Sequence, residues 1–128
     1  MEPVTFTSNI GDSSFEILCS ITGRPQATDW YWTVTPVSGS SSTKIPKGTD
    51  DGKYSINNSA TNPHLTIKNI TSDDEADYVC WATNAVGTNS SPKSRLLVTG
   101  GKLLFVHRLR YTTIKHGMHL NKMQVLIS

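Results

Sequence analysis

The sequence predicts an all-β domain, a sandwich or barrel of short strands. Two observations in the first hundred residues carry this. Short runs alternate apolar and polar side chains and are cut by turn residues every ~8–12 positions. No stretch sustains the 3.6-residue period of an amphipathic helix.

The strands follow in order. Residues 15–21 set Phe15, Ile17, Cys19 and Ile21 on one face at period two, with Leu18 the misfit. Gly11-Asp12 precedes this run and Gly23-Arg24-Pro25 follows it, both turn signals. Trp30, Trp32 and Val34 share a face in the next strand, which Pro36 stops; residues 37–43 read as a Ser/Gly-rich loop. Residues 53–56 and 65–67 are two further short strands, the second closed by a corner over residues 70–74. Ala76, Tyr78, Cys80 and Ala82 alternate again, Gly87 permits a tight turn, and Leu96 and Val98 end the last strand. No internal repeat appears, so the strands form one module.

The 128 residues suit one domain of ~100–150 with a short appendage. Global disorder is excluded by a net charge of only +2 and by three Trp, four Tyr and three Phe. The longest wholly aliphatic or aromatic run, residues 103–106, is far short of the ~20 residues of a membrane helix. Two cysteines allow a single bridge, which excludes a disulfide-dense scaffold. The charge is uneven. Residues 1–100 hold all ten acids against seven bases, net −3; residues 101–128 hold five bases and no acid, net +5. A composition boundary therefore falls at Gly100-Gly101.

Cys19 and Cys80 occupy core-facing positions of alternating strands, about 60 residues apart, and Trp30 and Trp32 follow the first of them. Leu65, Ile67, Ile70, Asp74, Ala76, Tyr78 and Cys80 form a spaced motif, continued by Trp81-Ala82-Thr83-Asn84-Ala85-Val86-Gly87. In this order the residues resemble the E–F and F–G regions of immunoglobulin domains, and with Gly23-Arg24-Pro25 they resemble the I-set subclass. The resemblance covers about residues 3–99. It is closest to modules of multi-domain invertebrate adhesion and immune-recognition proteins. Ala76 stands where glycine is commoner.

The resemblance implies a two-sheet antiparallel Greek-key sandwich over residues 1–100, with an inter-sheet Cys19–Cys80 disulfide. It implies Trp32 as the core tryptophan, with Trp30 in the preceding aliphatic position. Tyr78 then returns its hydroxyl to the corner backbone, and Asp74 meets Lys53. A lasting disulfide implies an oxidising compartment, as do the glycosylation sequons at Asn57, Asn69 and Asn89. The expected setting is extracellular or cell-surface, within a larger protein, because Met1-Glu2-Pro3-Val4 does not read as a signal peptide. A cytosolic domain with reduced thiols is set aside, since both cysteines sit where the bridged subclass has them.

No catalytic, cofactor or metal site is expected, and the protein is not read as an enzyme. There is no Gly-x-Ser-x-Gly elbow, and His64 after Pro63 reads as a surface histidine. His107, His116 and His119 fall short of a four-ligand zinc site. With Trp32 and Cys80 pointing inward, Tyr31, Thr33, Trp81 and Thr83 point outward from neighbouring strands as a candidate interface, Trp81 foremost. The expected partner is a protein or a neighbouring immunoglobulin domain, including a second copy; a glycan stacked on Trp81 is the alternative, and a passive spacer the bland reading. Residues 38–43 are a second, weaker candidate. Neither nucleic acid nor a membrane span is expected. Residues 101–128 read as a basic tail outside the domain. As a nucleic-acid or lipid-binding arm it is weakly charged, and as a juxtamembrane segment it has no span. It reads best as translated non-coding sequence, since Gly-Lys can be encoded with a splice-donor GTAA.

Overall fold

The computed structural model describes residues 5–100 and 122–126. Ten strands build two facing sheets: β1 (Thr5–Asn9), β2 (Ser14–Thr22), β3 (Asp29–Pro36), β4 (Thr43–Pro46), β5 (Tyr54–Ile56), β6 (Leu65–Lys68), β7 (Ala76–Thr83), β8 (Thr88–Ser90), β9 (Ser94–Thr99) and β10 (Lys122–Leu126). Among the described residues one 3-10 turn, Ser72–Asp74, precedes β7. The front sheet runs β1-β9-β7-β3-β4, with β8 also on β7; the back sheet runs β10-β2-β6-β5. The pairs are antiparallel except β1 with β9 and β10 with β2, which are parallel.

The alternation read from the sequence is the alternation of burial. Along β3, Trp30, Trp32 and Val34 are buried while Tyr31, Thr33 and Thr35 lie half-exposed on the other side. Along β7, Ala76, Tyr78, Cys80 and Ala82 point inward. The two sheets close on Ile17, Cys19, Leu65, Ile67, Ile70 and Leu96, all essentially inaccessible to solvent. The disulfide joins Cys19 of β2 to Cys80 of β7 and so ties one sheet to the other.

Trp32 pairs directly opposite Cys80 in the β3–β7 register, wholly buried, and its indole N–H donates to the Pro63 carbonyl at 2.9 Å. This makes Trp32 the tryptophan at the bridge. Trp30, two residues earlier, is buried near the end of the sandwich under the Lys47 ammonium, 4.5 Å from its ring centre.

The corner before β7 is closed by polar contacts. Thr71 and Asp74 form a capping box: Thr71 Oγ1 accepts from Asp73 N, and Asp74 Oδ2 accepts from Thr71 N at 2.8 Å. Asp74 Oδ2 also accepts from Lys53 Nζ at 2.6 Å, and the Tyr78 hydroxyl donates to the Asp74 carbonyl at 2.7 Å. Burial pushes the Tyr78 phenol well above its ordinary value, so it stays a donor.

Register shifts by one between β8 and β9. Trp81 faces Ser90 and Tyr78 faces Ser94, so the strand carries one more residue than β7 across this stretch, a bulge around Pro92. Ser91 spans it: its N–H donates to the Cys80 carbonyl and its hydroxyl accepts from Cys80 N.

The tail departs from expectation where it is described. The sequence places residues 101–128 outside the domain, yet Lys122–Leu126 pairs with Leu18–Thr22 of β2, and Val125 is buried in the core. The upper edge of β2 offers unpaired backbone groups, and an extended apolar segment satisfies them whatever its charge balance. Residues 101–121 and 127–128 lie outside the described ones, and with them His107, His116 and His119.

Candidate binding face

The outer side of the front sheet is built from β3, β4, β7 and β8. Because successive side chains alternate, the inward Trp32, Ile45 and Cys80 force Tyr31, Thr33, Lys44 and Trp81 outward. Tyr31 and Trp81 stand directly opposite in the β3–β7 register. Their rings stack with centroids 5.8 Å apart and planes 8° from parallel. The Trp81 indole N–H donates to Thr33 Oγ1 at 3.0 Å. From the other neighbour, β4, Lys44 places its ammonium 4.3 Å from the Tyr31 ring centre. The result is a row, Lys44–Tyr31–Trp81, in which each member fixes the next.

Of the four interface residues expected from the sequence, the structure brings Tyr31, Thr33 and Trp81 into one contact network. Thr83 lies further along β7, where its hydroxyl pairs with that of Thr88 at 2.8 Å. All four are half-buried. At the opposite end of the face Arg95 grips Asp77, with Nε to Oδ1 at 2.8 Å and the second guanidinium nitrogen to Oδ2 at 3.1 Å.

Lys44 and Lys47 carry little strand signal in the sequence, where residues 37–43 read as a loop with no strand after it. The signal is thin: a lone apolar residue, Ile45, between two polar ones. Both lysines are exposed, and each lies over an aromatic ring. Among the described ion pairs neither meets a carboxylate.

His64 is half-buried, and its Nδ1 lies 3.6 Å from a Glu16 carboxylate oxygen. Among the described residues no three His, Cys, Asp or Glu side chains gather as metal ligands, and no helix is long and apolar enough to cross a membrane. Asn57, Asn69 and Asn89 are all exposed.

The sequence profile of the immunoglobulin I-set domain matches residues 2–96. The chain belongs to the immunoglobulin I-set family. Modules of this kind are in general non-catalytic and serve recognition and adhesion. This I-set chain is 33% identical to mouse basigin over 82 residues, which is 63% of the chain and 21% of basigin. It is 33% identical to human neural cell adhesion molecule 1 over 84 residues, 66% of the chain and 9% of that protein. It is 32% identical to the muscle M-line assembly protein unc-89 of Caenorhabditis elegans over 113 residues, 85% of the chain and 1% of that protein. The I-set chain thus spans about a fifth of the length of basigin and under a tenth of the other two relatives.

Proposed function

We propose that residues 1–100 form a non-catalytic, extracellular recognition module that binds a protein partner through the outer face of β3, β4 and β7. The partner is a neighbouring immunoglobulin domain, a second copy or another surface protein. The observation that carries this reading is the Lys44–Tyr31–Trp81 row: two large aromatics and a cation without a carboxylate mate, held rigidly on a sheet face. Aromatic anchors whose rotamers are already fixed lose little entropy on contact.

The same geometry narrows the alternative of a glycan on Trp81, since one face of its indole is already covered by Tyr31, and it weighs against sugar stacking on Tyr31 itself. Trp81 approaches its ring from the β7 side and Lys44 from the β4 side, so a pyranose has no free aromatic face there. A folded disulfide and the exposed sequons at Asn57, Asn69 and Asn89 support an oxidising, glycosylating route and attachment of glycans at these sites.

The test is binding of a fluorescent multimer of the full chain to a panel of cells and to a glycan array, with self-association followed by sedimentation. Lys44→Glu reverses an exposed charge and should abolish partner binding with only a small fall in melting temperature, from the lost contact with the Tyr31 ring. Trp81→Ala should do the same with some loss of stability, because Trp81 is stacked and hydrogen-bonded within the sheet. Equal binding by wild type and both variants overturns the face assignment.

A further inference from the structure

The back sheet has two different halves. Residues 14–17 of β2 pair with β6, whereas residues 18–22 pair with β10. In that second half the side towards β6 is served by a loop: Ile21 N donates to the Thr61 carbonyl at 2.7 Å, and the Asn62 amide reaches the Cys19 carbonyl. Backbone groups alternate along a strand. With Ile21 directed to Thr61, the N–H groups of Leu18, Ser20 and Thr22 are directed to the opposite side, where β10 runs.

A second observation is independent of the pairing. Val125, opposite Ile21, is 1% exposed and belongs to the same core as Cys19 and Ile21. β10 also lies against β7 and β8, so it closes the side of the sandwich between the two sheets. Twenty-two residues separate Thr99 from Lys122. At ~3.3–3.6 Å per residue, that length can span up to about 75 Å, several times the ~10 Å between sheets.

We propose that the slot between the β2 edge and β8 is a binding site for an extended peptide strand, and that residues 122–126 occupy it as the chain's own ligand. Recognition is by strand addition: the main chain pairs with β2 in parallel register, and one inward aliphatic side chain, here Val125, fills the core position. The ligand class is therefore an extended peptide with a β-branched aliphatic residue at its centre. The pairing edge belongs to the opposite sheet from Trp81, and the site does not depend on the function proposed above.

Amide hydrogen exchange on the full chain tests it. In Val125→Asp, the amides of Leu18, Ser20 and Thr22 should exchange at least tenfold faster, while Ile21 and the β7 amides keep their protection. Millimolar synthetic peptide of residues 119–128 should restore protection in that variant, and the same peptide carrying Val125→Asp should not. If Val125→Asp also exposes β7, the isosteric Val125→Thr decides, with selective acceleration of the same three amides expected. Unchanged exchange at these amides in both variants, or no restoration by the wild-type peptide, overturns the proposal.

Discussion

The Lys53 ammonium lies 2.6 Å from Asp74 Oδ2, and the carboxylate it meets is 3% exposed. The pair locks the approach to β5 against the corner before β7. Lys53 also donates to the carbonyls of Lys68 and Asn69, so one ammonium serves three acceptors. Lys53→Met leaves Asp74 buried with its Thr71 hydrogen bond but without a counter-charge. Lys53 is itself over a third exposed, which moderates the cost. The expected loss is about 1–3 kcal/mol, measured by urea unfolding. A stability within experimental error of wild type would show that the pair contributes nothing.

The Cys19–Cys80 bridge closes a loop of 61 positions between the sheets. The chain-entropy relation gives a stabilisation of about 4 kcal/mol for such a loop. The double variant Cys19→Ala, Cys80→Ala should lose a comparable amount, read as a drop in the denaturant midpoint with a steeper slope, because the unbridged denatured chain is less compact. A loss below about 1 kcal/mol would mean the denatured chain is already constrained across this span.

Two serines near the bulge should respond in opposite ways. The Ser94 hydroxyl is buried with no hydrogen-bond partner among the described residues. Ser94→Ala should therefore be neutral or stabilise by up to about 1 kcal/mol. Ser91 is buried too, but its hydroxyl accepts from the Cys80 amide at 3.1 Å. Ser91→Ala orphans that amide and should cost about 1–3 kcal/mol. Thermal melts of the two variants should move to opposite sides of wild type, or Ser94→Ala should stay level while Ser91→Ala falls.

The Arg95 hydrogen bonds hold the Asp77 carboxyl below the usual carboxylate range. A carboxyl depressed in the fold stabilises it above the unfolded value of about 3.9, and that contribution is lost as pH falls through the folded value. Arg95 is 45% exposed, so solvent screening keeps the effect under about 1 kcal/mol. Asp77→Asn should be slightly less stable than wild type at pH 7, and the gap should close as pH falls below about 4. A gap that persists undiminished to pH 2 would assign it to something other than ionisation.

What was legible in the sequence follows from side-chain size. β2 and β3 carry three or four bulky or sulfur-bearing residues at period two, and β7 sets Tyr78 and Cys80 between two alanines; these inward faces are legible as they stand, and Leu18, off the pattern, points away from the core and is half-buried. The choice of Trp32 over Trp30 needed the resemblance, and the pairing with Cys80 supplies its physical reason. β1, β4 and β8 escaped because Phe6 and Ile45 are single apolar residues in their strands and Thr88–Ser90 has none. Such edge pieces are held by backbone pairing, which leaves no periodic trace. Lys44 leaves no mark in the sequence pattern for that reason, although it completes the aromatic row. β10 escaped because Met123-Gln124-Val125-Leu126 follows a boundary in charge, and charge says nothing about backbone complementarity.

β4 is the last strand of the front sheet, and its sequence determines how copies can meet. Pro46 has no N–H to offer a further strand, and Lys44 and the adjacent Lys47 would each have to shed water beside an incoming backbone. Growth of the sheet therefore stops here. Two copies brought edge to edge at this border lack the backbone partners and the dry contact that continuous β-structure needs.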